Sequence, residues 1–297
     1  MTGFSAEWLA LREPFDREAR RAATGSVDLP ALAARKRRDD PVLAVLDLGC
    51  GTGANLRELA PRLGGPQRWT LVDHDPALLD ALPGALNEWA RHNQYASGPK
   101  GKPLRIAGPG WSAEVEWLRA DLAAALDQLP FAQSHLVTAS ALLDLGSSHW
   151  LDGLLERARR ADAALWFALT VDGLVEWSPP IADDEDIHRL FAVHQRRDKG
   201  FGAALGGTAV EVAAGRLAGV GYEVHEAASD WHIDGSEGGP AAAMLRAMVQ
   251  GMGAAAAEQS PDEAARIGGW TKRRLSLIGR TRLRVGHREL VAVPRRS

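Results

Sequence analysis

Hydrophobic positions along the chain follow two periods. Over residues 4–23 the period is helical: Trp8, Leu11 and Phe15 share a face, accompanied by Arg12, Arg17 and Arg20. Asp28 stands where it would cap a second, short helix, which ends in the basic run Arg35-Lys36-Arg37-Arg38 before Pro41. From Val42 short apolar runs alternate with amphipathic stretches. PVLAVLDLG, RWTLVDHD, EVEWLRADL, HLVTAS and AALWFALTVDG predict five strands. Helices are expected over 55–63, from Pro76 to about Tyr95, and over 148–161. The stretch ASGPKGKPLRIAGPG is too rich in Gly and Pro for either and reads as a loop with room for a small hairpin.

In the second half, 183–199 predicts a helix with an acidic first turn and a stop at Gly200. Thr208-Ala-Val-Glu211 and Ser260-Pro-Asp-Glu263 have the spacing of capping boxes, the first opening a helix that ends near Gly219. Another apolar helix is expected over about 240–252. YEVHEAASDW and RTRLRVGHRELVAVP predict a sixth and a seventh strand, the latter with a break at Gly286. Strands alternating with helices imply a mainly parallel sheet with right-handed crossovers. The expected organisation is a helical N-terminal extension over 1–40 that closes over the cleft as a lid, then one α/β domain over 41–297. That domain carries a helical insertion over about 235–279, before the last strand.

Composition narrows the class. The chain has 297 residues, 45% hydrophobic and 25% charged, enough to bury a core without cross-links. Cys50 is the single cysteine, which excludes an internal disulfide and suits a cytoplasmic setting. No apolar run reaches about 18 residues, so no membrane span is expected. The formal charge of −3 argues against a general nucleic-acid partner, although nine Lys/Arg and one acid fall within the last 27 residues. No metal site is expected.

The chemistry concentrates at Asp47-Leu-Gly49-Cys-Gly51-Thr-Gly53, between a strand and a helix. Glycines there let a ligand approach the backbone and leave N–H groups pointing at it. Gly49-x-Gly51-x-x-Ala54 also fits the relaxed dinucleotide fingerprint, so the turn alone does not decide. Three carboxylates do more. Asp47 precedes the first glycine by two residues, where it can pair with an ammonium group. Asp73 and Asp75 end the second strand about 20 residues on, where a carboxylate holds ribose hydroxyls. Asp121 ends the third strand, placed for an adenine edge. An amino-acid tail, a ribose and an adenine, in that order, describe S-adenosylmethionine.

DLGCGTG, LVDHD, RADL and SALLDL together resemble the motifs of class I S-adenosylmethionine-dependent methyltransferases, over about residues 42–172. The resemblance implies a Rossmann-like, seven-stranded mixed sheet with helices on both faces and an antiparallel last strand. It implies that Gly49, Gly51 and Gly53 line the methionine part, Asp73 the ribose, and Asp121 with Leu122 the adenine. Asp47, Cys50, Asn55, His74 and Ser140 complete the expected cofactor-binding set. No (Asp/Asn)-Pro-Pro-(Tyr/Phe) signature follows the fourth strand, which argues against the subtype that methylates amino groups of bases or glutamine. Cysteine-dependent C5 methylation is excluded because Cys50 lies in the cofactor turn.

The expected reaction is methyl transfer to a small-molecule acceptor. RNA or protein methylation, or a non-catalytic binding module of this fold, are the alternatives. Asp144, in the loop after the fourth strand, is a candidate to accept a proton or to hold an acceptor group. His194 falls on the Ile187/Leu190/Phe191 face of its helix, with Asp198 one turn further on, which has the ingredients of a general base. Trp150, Gln195, Lys199 and Trp231 are the candidate substrate-binding residues. Gly200, Gly202, Gly206 and Gly207 suit either a loop apposed to a ligand or an irregular connection. The Met244/Met248/Met252 stripe suits either core or a deformable lid.

Overall fold

The computed structural model describes residues 5–23, 28–36, 40–98 and 101–295. Phe4, Arg37, Arg38 and residues 99–100, which belong to expected elements above, lie outside them. The chain begins with α1 (Ala6–Ala22), α2 (Leu29–Lys36), β1 (Leu43–Leu48), α3 (Ala54–Leu63), β2 (Gly65–Asp73) and α4 (Pro76–His92). Next come β3 (Ala96–Ser97), β4 (Leu104–Gly108), β5 (Trp111–Arg119), β6 (Leu136–Ser140), α5 (Ser148–Arg160) and β7 (Ala164–Ser178). The last third holds α6 (Asp184–Gln195), α7 (Ala209–Gly219), β8 (Tyr222–Ala228), β9 (Trp231–Asp234), α8 (Gly239–Gln259), α9 (Ala264–Ser276) and β10 (Arg282–Pro294).

These strands form one sheet of order β3-β4-β5-β2-β1-β6-β7-β10-β8, with β9 beside β10. The five strands from β5 to β7 pair in parallel, and β10 runs antiparallel to β7, β8 and β9. The fold is therefore the expected Rossmann-like mixed sheet, but with ten strands, not seven. Two local events add the three short ones. The Gly/Pro-rich stretch pairs antiparallel onto β5 through β4 and β3. YEVHEAASDW splits at Ser229-Asp230, where the Ser229 N–H donates to the His287 carbonyl (2.8 Å) and Asp230 Oδ1 accepts from the His287 N–H (3.1 Å).

Strand order reverses between β1 and β6, and in open α/β sheets ligands bind outside the carboxyl ends at such a point. β1 is buried along its whole length, as a central parallel strand must be. One face of the sheet packs on α1, α2, α3, α4 and α8, and the other on α5 and α7. Met244 and Met252 are buried there with Leu245 and Val249, so the methionine stripe is core. No helix among the described residues is long and apolar enough to cross a membrane.

Several helix boundaries differ from the periodicity. α6 stops at Gln195, one turn before Gly200, because Asp198 Oδ1 accepts from the N–H groups of Gly200 (2.7 Å) and Gly202 (2.9 Å) and shapes a turn instead. Thr208 stands at the N-cap of α7 but makes no side-chain cap hydrogen bond. A 3-10 turn over Gly206–Thr208 runs into α7, and the Thr208 hydroxyl donates to the Leu205 carbonyl. Ser260 likewise leaves its box incomplete, donating to Glu263 Oε1 (2.9 Å) while a 3-10 turn leads into α9. α8 continues to Gln259, well past Met252.

The acidic start of α6 does more than suit the helix dipole. Asp184 accepts from Trp270 Nε1 (2.8 Å) and Arg274 Nε (3.0 Å), and it pairs with Arg274 Nη2. Arg274 is fully buried, its guanidinium 4.7 Å from the Trp177 ring centre. Asp183 pairs with Arg266 and Arg273. α6 and α9 are thereby fastened together beside the outer half of β7.

Candidate functional site

The three glycines of the turn after β1 all have positive φ: +66° at Gly49, +53° at Gly51 and +82° at Gly53. An L-residue pays for that conformation. Surroundings are tight as well, since a Cβ on Gly51 would stand 3.0 Å from Leu9 Cδ1, and one on Gly53 would stand 3.0 Å from Leu86 Cδ2. Cys50 is buried, its N–H donating to the Val72 carbonyl (3.0 Å), and burial pushes its thiol pKa up.

Asp73 ties the turn to β2. Its Oδ2 accepts from the Gly51 N–H (2.8 Å) and its Oδ1 from the Asp75 N–H (3.0 Å). Each oxygen keeps a second lone pair, which suits a diol. His74 is exposed, with Nδ1 at 3.5 Å from Asp73 Oδ1. Asp75 itself caps α4 through the Ala77 N–H. Asp121 is exposed and accepts from the Ala123 N–H (2.9 Å), while Leu122 beside it is buried.

Asp47 is completely buried at the end of β1. Its Oδ1 accepts from Asn55 Nδ2 (2.9 Å), and its Oδ2 has no hydrogen-bond partner among the described residues. Burial pushes its pKa up to about 7, against the Asn55 hydrogen bond and the nearby Arg20 charge. Asn55 Nδ2 also donates to Thr138 Oγ1 (2.8 Å), and Asn55 Oδ1 accepts from Arg20 Nη2 (2.7 Å). A buried carboxylate oxygen without a donor is costly unless a ligand supplies one.

At the end of β6, Ser140 is half-buried and Ala141 has φ +52°. Asp144 follows on a 3-10 turn. Its Oδ1 is buried without a partner among the described residues, and its pKa is pushed up to about 6 by burial, against the Arg12 charge. Arg12 comes from α1, forms a two-pronged bond to Asp16 (2.9 and 3.1 Å), and lies 4.9 Å from the centre of the Trp231 ring. Trp231 Nε1 donates to Asp16 Oδ1 (3.0 Å), and its ring lies 4.6 Å from His287. Arg12, Asp16 and Arg20 were not among the candidates. Their signal is the spacing Trp8, Arg12, Asp16, Arg20, one residue every fourth position on the face that packs inward.

Other candidates sit elsewhere or do something else. His194 does not meet Asp198. Because α6 ends early, Asp198 turns back to its own loop, and His194 Nε2 lies 3.2 Å from Glu258 Oε2 of α8. Glu258, mostly exposed, also pairs with Arg197 (2.8 Å). Lys199 is half-buried near it, its pKa lowered by burial, and Gln195 is the last residue of α6. No hydrogen bond or ion pair among the described residues joins this cluster to the glycine turn or to Asp144. Trp150 is a core residue: its Nε1 donates to the Leu122 carbonyl (2.7 Å) and its ring meets Phe201 edge-on. The glycine-rich connection is apposed to protein. A Cβ on Gly207 would fall 2.9 Å from Gly173 N, and one on Gly202 would fall 3.2 Å from Ser147 Cβ. No group of three or more His, Cys, Asp or Glu among the described residues is placed to hold a metal ion.

No family model and no curated protein matches the chain. Solved structures similar to it include the YcgJ protein of Bacillus subtilis, at 11% identity and a TM-score of 0.47, covering 91% of this chain and 99% of that one. A SAM-dependent methyltransferase from Geobacter sulfurreducens, solved with S-adenosylhomocysteine, shows 14% identity and a TM-score of 0.40, covering 96% and 98%. A phosphoethanolamine N-methyltransferase from Haemonchus contortus shows 13% identity and a TM-score of 0.43, covering 100% of this chain and 58% of that one. Likenesses this distant leave the strand order and the site geometry to carry the functional reading.

Proposed function

We propose that the chain is a class I S-adenosylmethionine-dependent methyltransferase acting on a small-molecule acceptor. The observation that carries this is Asp47: a fully buried carboxylate oxygen without a donor, at the switch point, beside three glycines of positive φ. A cationic α-amino group supplies the missing donor. A dinucleotide pyrophosphate, being anionic, would be repelled by the same oxygen. Asp73 holds the ribose through its remaining lone pairs, and Asp121 with Leu122 borders the adenine. When bound, the cofactor supplies an electrophilic sulfonium methyl group.

The chain's own contribution is to bind, align and exclude water. α1 serves as a lid, since Leu9 lies over Gly51 and Arg12 faces Asp144. Trp231, held against Arg12 and Asp16 of α1, borders the acceptor side. Asp144 Oδ1 is the base that receives a proton from the acceptor, in place of His194.

Calorimetry with S-adenosylhomocysteine and with NADH tests the reading. S-adenosylhomocysteine should bind, and Asp73→Ala should weaken it by about 1–3 kcal/mol through lost charge-assisted hydrogen bonds. NADH binding that is unaffected by Asp47→Ala would reverse the assignment. For Asp144, the acceptor is first found by offering metabolite extracts and isotope-labelled methyl donor to the enzyme. Asp144→Asn should then lower the rate about 10²–10⁴-fold with cofactor affinity unchanged. In the unsubstituted enzyme the rate should rise with pH up to about 6 and then level, as burial-raised Asp144 gives up its proton. A rate independent of Asp144 removes it from the site.

A further inference from the structure

We infer that Arg20 is a positioning residue that couples the seating of α1 to ligand binding at Asp47. This rests on the reading above, in which Asp47 receives an ammonium group. Arg20 belongs to the N-terminal helix, yet only 4% of its surface is exposed. Its Nη2 donates to Asn55 Oδ1 at 2.7 Å. Arginine offers donors only, so the bond forces the Asn55 oxygen toward α1 and its NH₂ toward the sheet. That NH₂ then serves Asp47 Oδ1 (2.9 Å) and Thr138 Oγ1 (2.8 Å), and Thr138 in turn donates to the Trp166 carbonyl (2.8 Å). Asp47 is thereby held with Oδ1 engaged and Oδ2 left for a ligand. Without Arg20 the amide can rotate and present its oxygen to the carboxylate.

Charge points the same way. Arg20 Nε lies 3.6 Å from Glu289 Oε1, and Glu289, 2% exposed, also accepts from Trp166 Nε1. Arg20 is thus shared by two buried carboxylates. Burial raises the pKa of both. Asp73 of β2 also faces Asp47, while Arg62 and Glu58 of α3 lie near Glu289. Two guanidinium groups, Arg20 and Arg62, among four acids leave the cluster short of positive charge, and a ligand ammonium at Asp47 relieves the shortage.

The same helix holds the glycine turn at two more points. Leu9 packs against Gly51, and Glu13 pairs with Arg57 (2.8 and 3.1 Å), which also donates to the Thr52 carbonyl (2.7 Å). Positions 9, 13 and 20 lie within one narrow stripe of a 3.6-residue helix. A ligand that fixes the turn and Asp47 therefore fixes α1, and by reciprocity α1 tightens the ligand.

The test uses the full chain and S-adenosylhomocysteine, read by calorimetry and by hydrogen exchange of the α1 amides. In the wild type, ligand should slow exchange across α1. Arg20→Gln should weaken affinity about tenfold or more and abolish that protection, and Arg20→Lys should recover part of the affinity by restoring charge without the fork. Binding measured in buffers of different ionisation enthalpy should show more protons released by Arg20→Gln than by the wild type, because its free carboxylates hold more. An Arg20→Gln protein with wild-type affinity and proton count overturns the coupling. Should that variant not fold, unchanged α1 exchange in the liganded wild type overturns it instead. A wild type that binds no S-adenosylhomocysteine overturns the functional reading, and the coupling falls with it.

Discussion

At the scale of single residues, a buried carboxylate such as Asp47 is a cost that the fold carries. Its pKa rises from the ordinary 3.8 to about 7. Native stability is therefore undiminished below about pH 4 and is lost progressively as pH rises through 7, by about 4 kcal/mol at most. Asp47→Asn removes the charge and keeps an oxygen for Asn55. We expect its melting temperature to exceed the wild type's by a few degrees above pH 7, with the gap closing below pH 4. Wild-type affinity for S-adenosylhomocysteine should rise with pH over the same range, as Asp47 gains the charge that an ammonium group pairs with. An Asn variant less stable than the wild type at pH 8 would mean that the Arg20 charge outweighs the cost of burying Asp47. His287 has the opposite sign. It is buried with its pKa lowered to about 4, so its contribution is present above 6.5 and lost as pH falls toward 4. Asp47 and Asp73 were legible in the sequence because the glycine turn frames them. Arg12 and Arg20 were not, since an arginine on an amphipathic helix normally reaches solvent, and their buried partners come from β9, β10 and α3.

At the scale of elements, periodicity identified where helices and strands lie better than where they stop. α6 shows why. Gly200 reads as its stop, yet the Asp198 side chain captures the next backbone N–H groups and ends the helix at Gln195. That early stop turns Asp198 away from His194 and leaves His194 against Glu258 of α8. A pairing argued from i, i+4 spacing fails when the helix does not continue through both residues. The consequence is testable. His194→Gln removes one partner from Glu258, which keeps Arg197. Glu258 is mostly exposed, and a pair whose acid lies open to solvent contributes little. We therefore expect almost no change in melting temperature, in affinity for S-adenosylhomocysteine, or in methylation rate once an acceptor is in hand. A hundredfold loss of rate would return His194 to the site.

At the scale of the whole molecule, β7 and β10 decide how the parts act together. The alternation of strands and helices made the parallel core legible, because short crossovers leave few topologies. The outer ladder was not legible. Arg282 and Arg284 are exposed, but β10 has neighbours on both sides, and the two arginines pair with Asp234, Asp230 and Glu176 of those neighbouring segments. β10 follows β7 from Leu165 in the core to Ser178 beyond its carboxyl edge. The α6–α9 assembly is built on that same pair of strands, so it should not melt separately from the core. Asp184→Asn tests this. It leaves Arg274, fully buried, without its carboxylate partner, and a broken buried pair costs about 3–5 kcal/mol. If the strands transmit the loss, calorimetry should show one transition moved to lower temperature, and amides of β1 and β6 should exchange faster along with those of α9. Two separate transitions, with only the upper one at the wild-type temperature, would show instead that the assembly on the outer ladder is an independent folding unit.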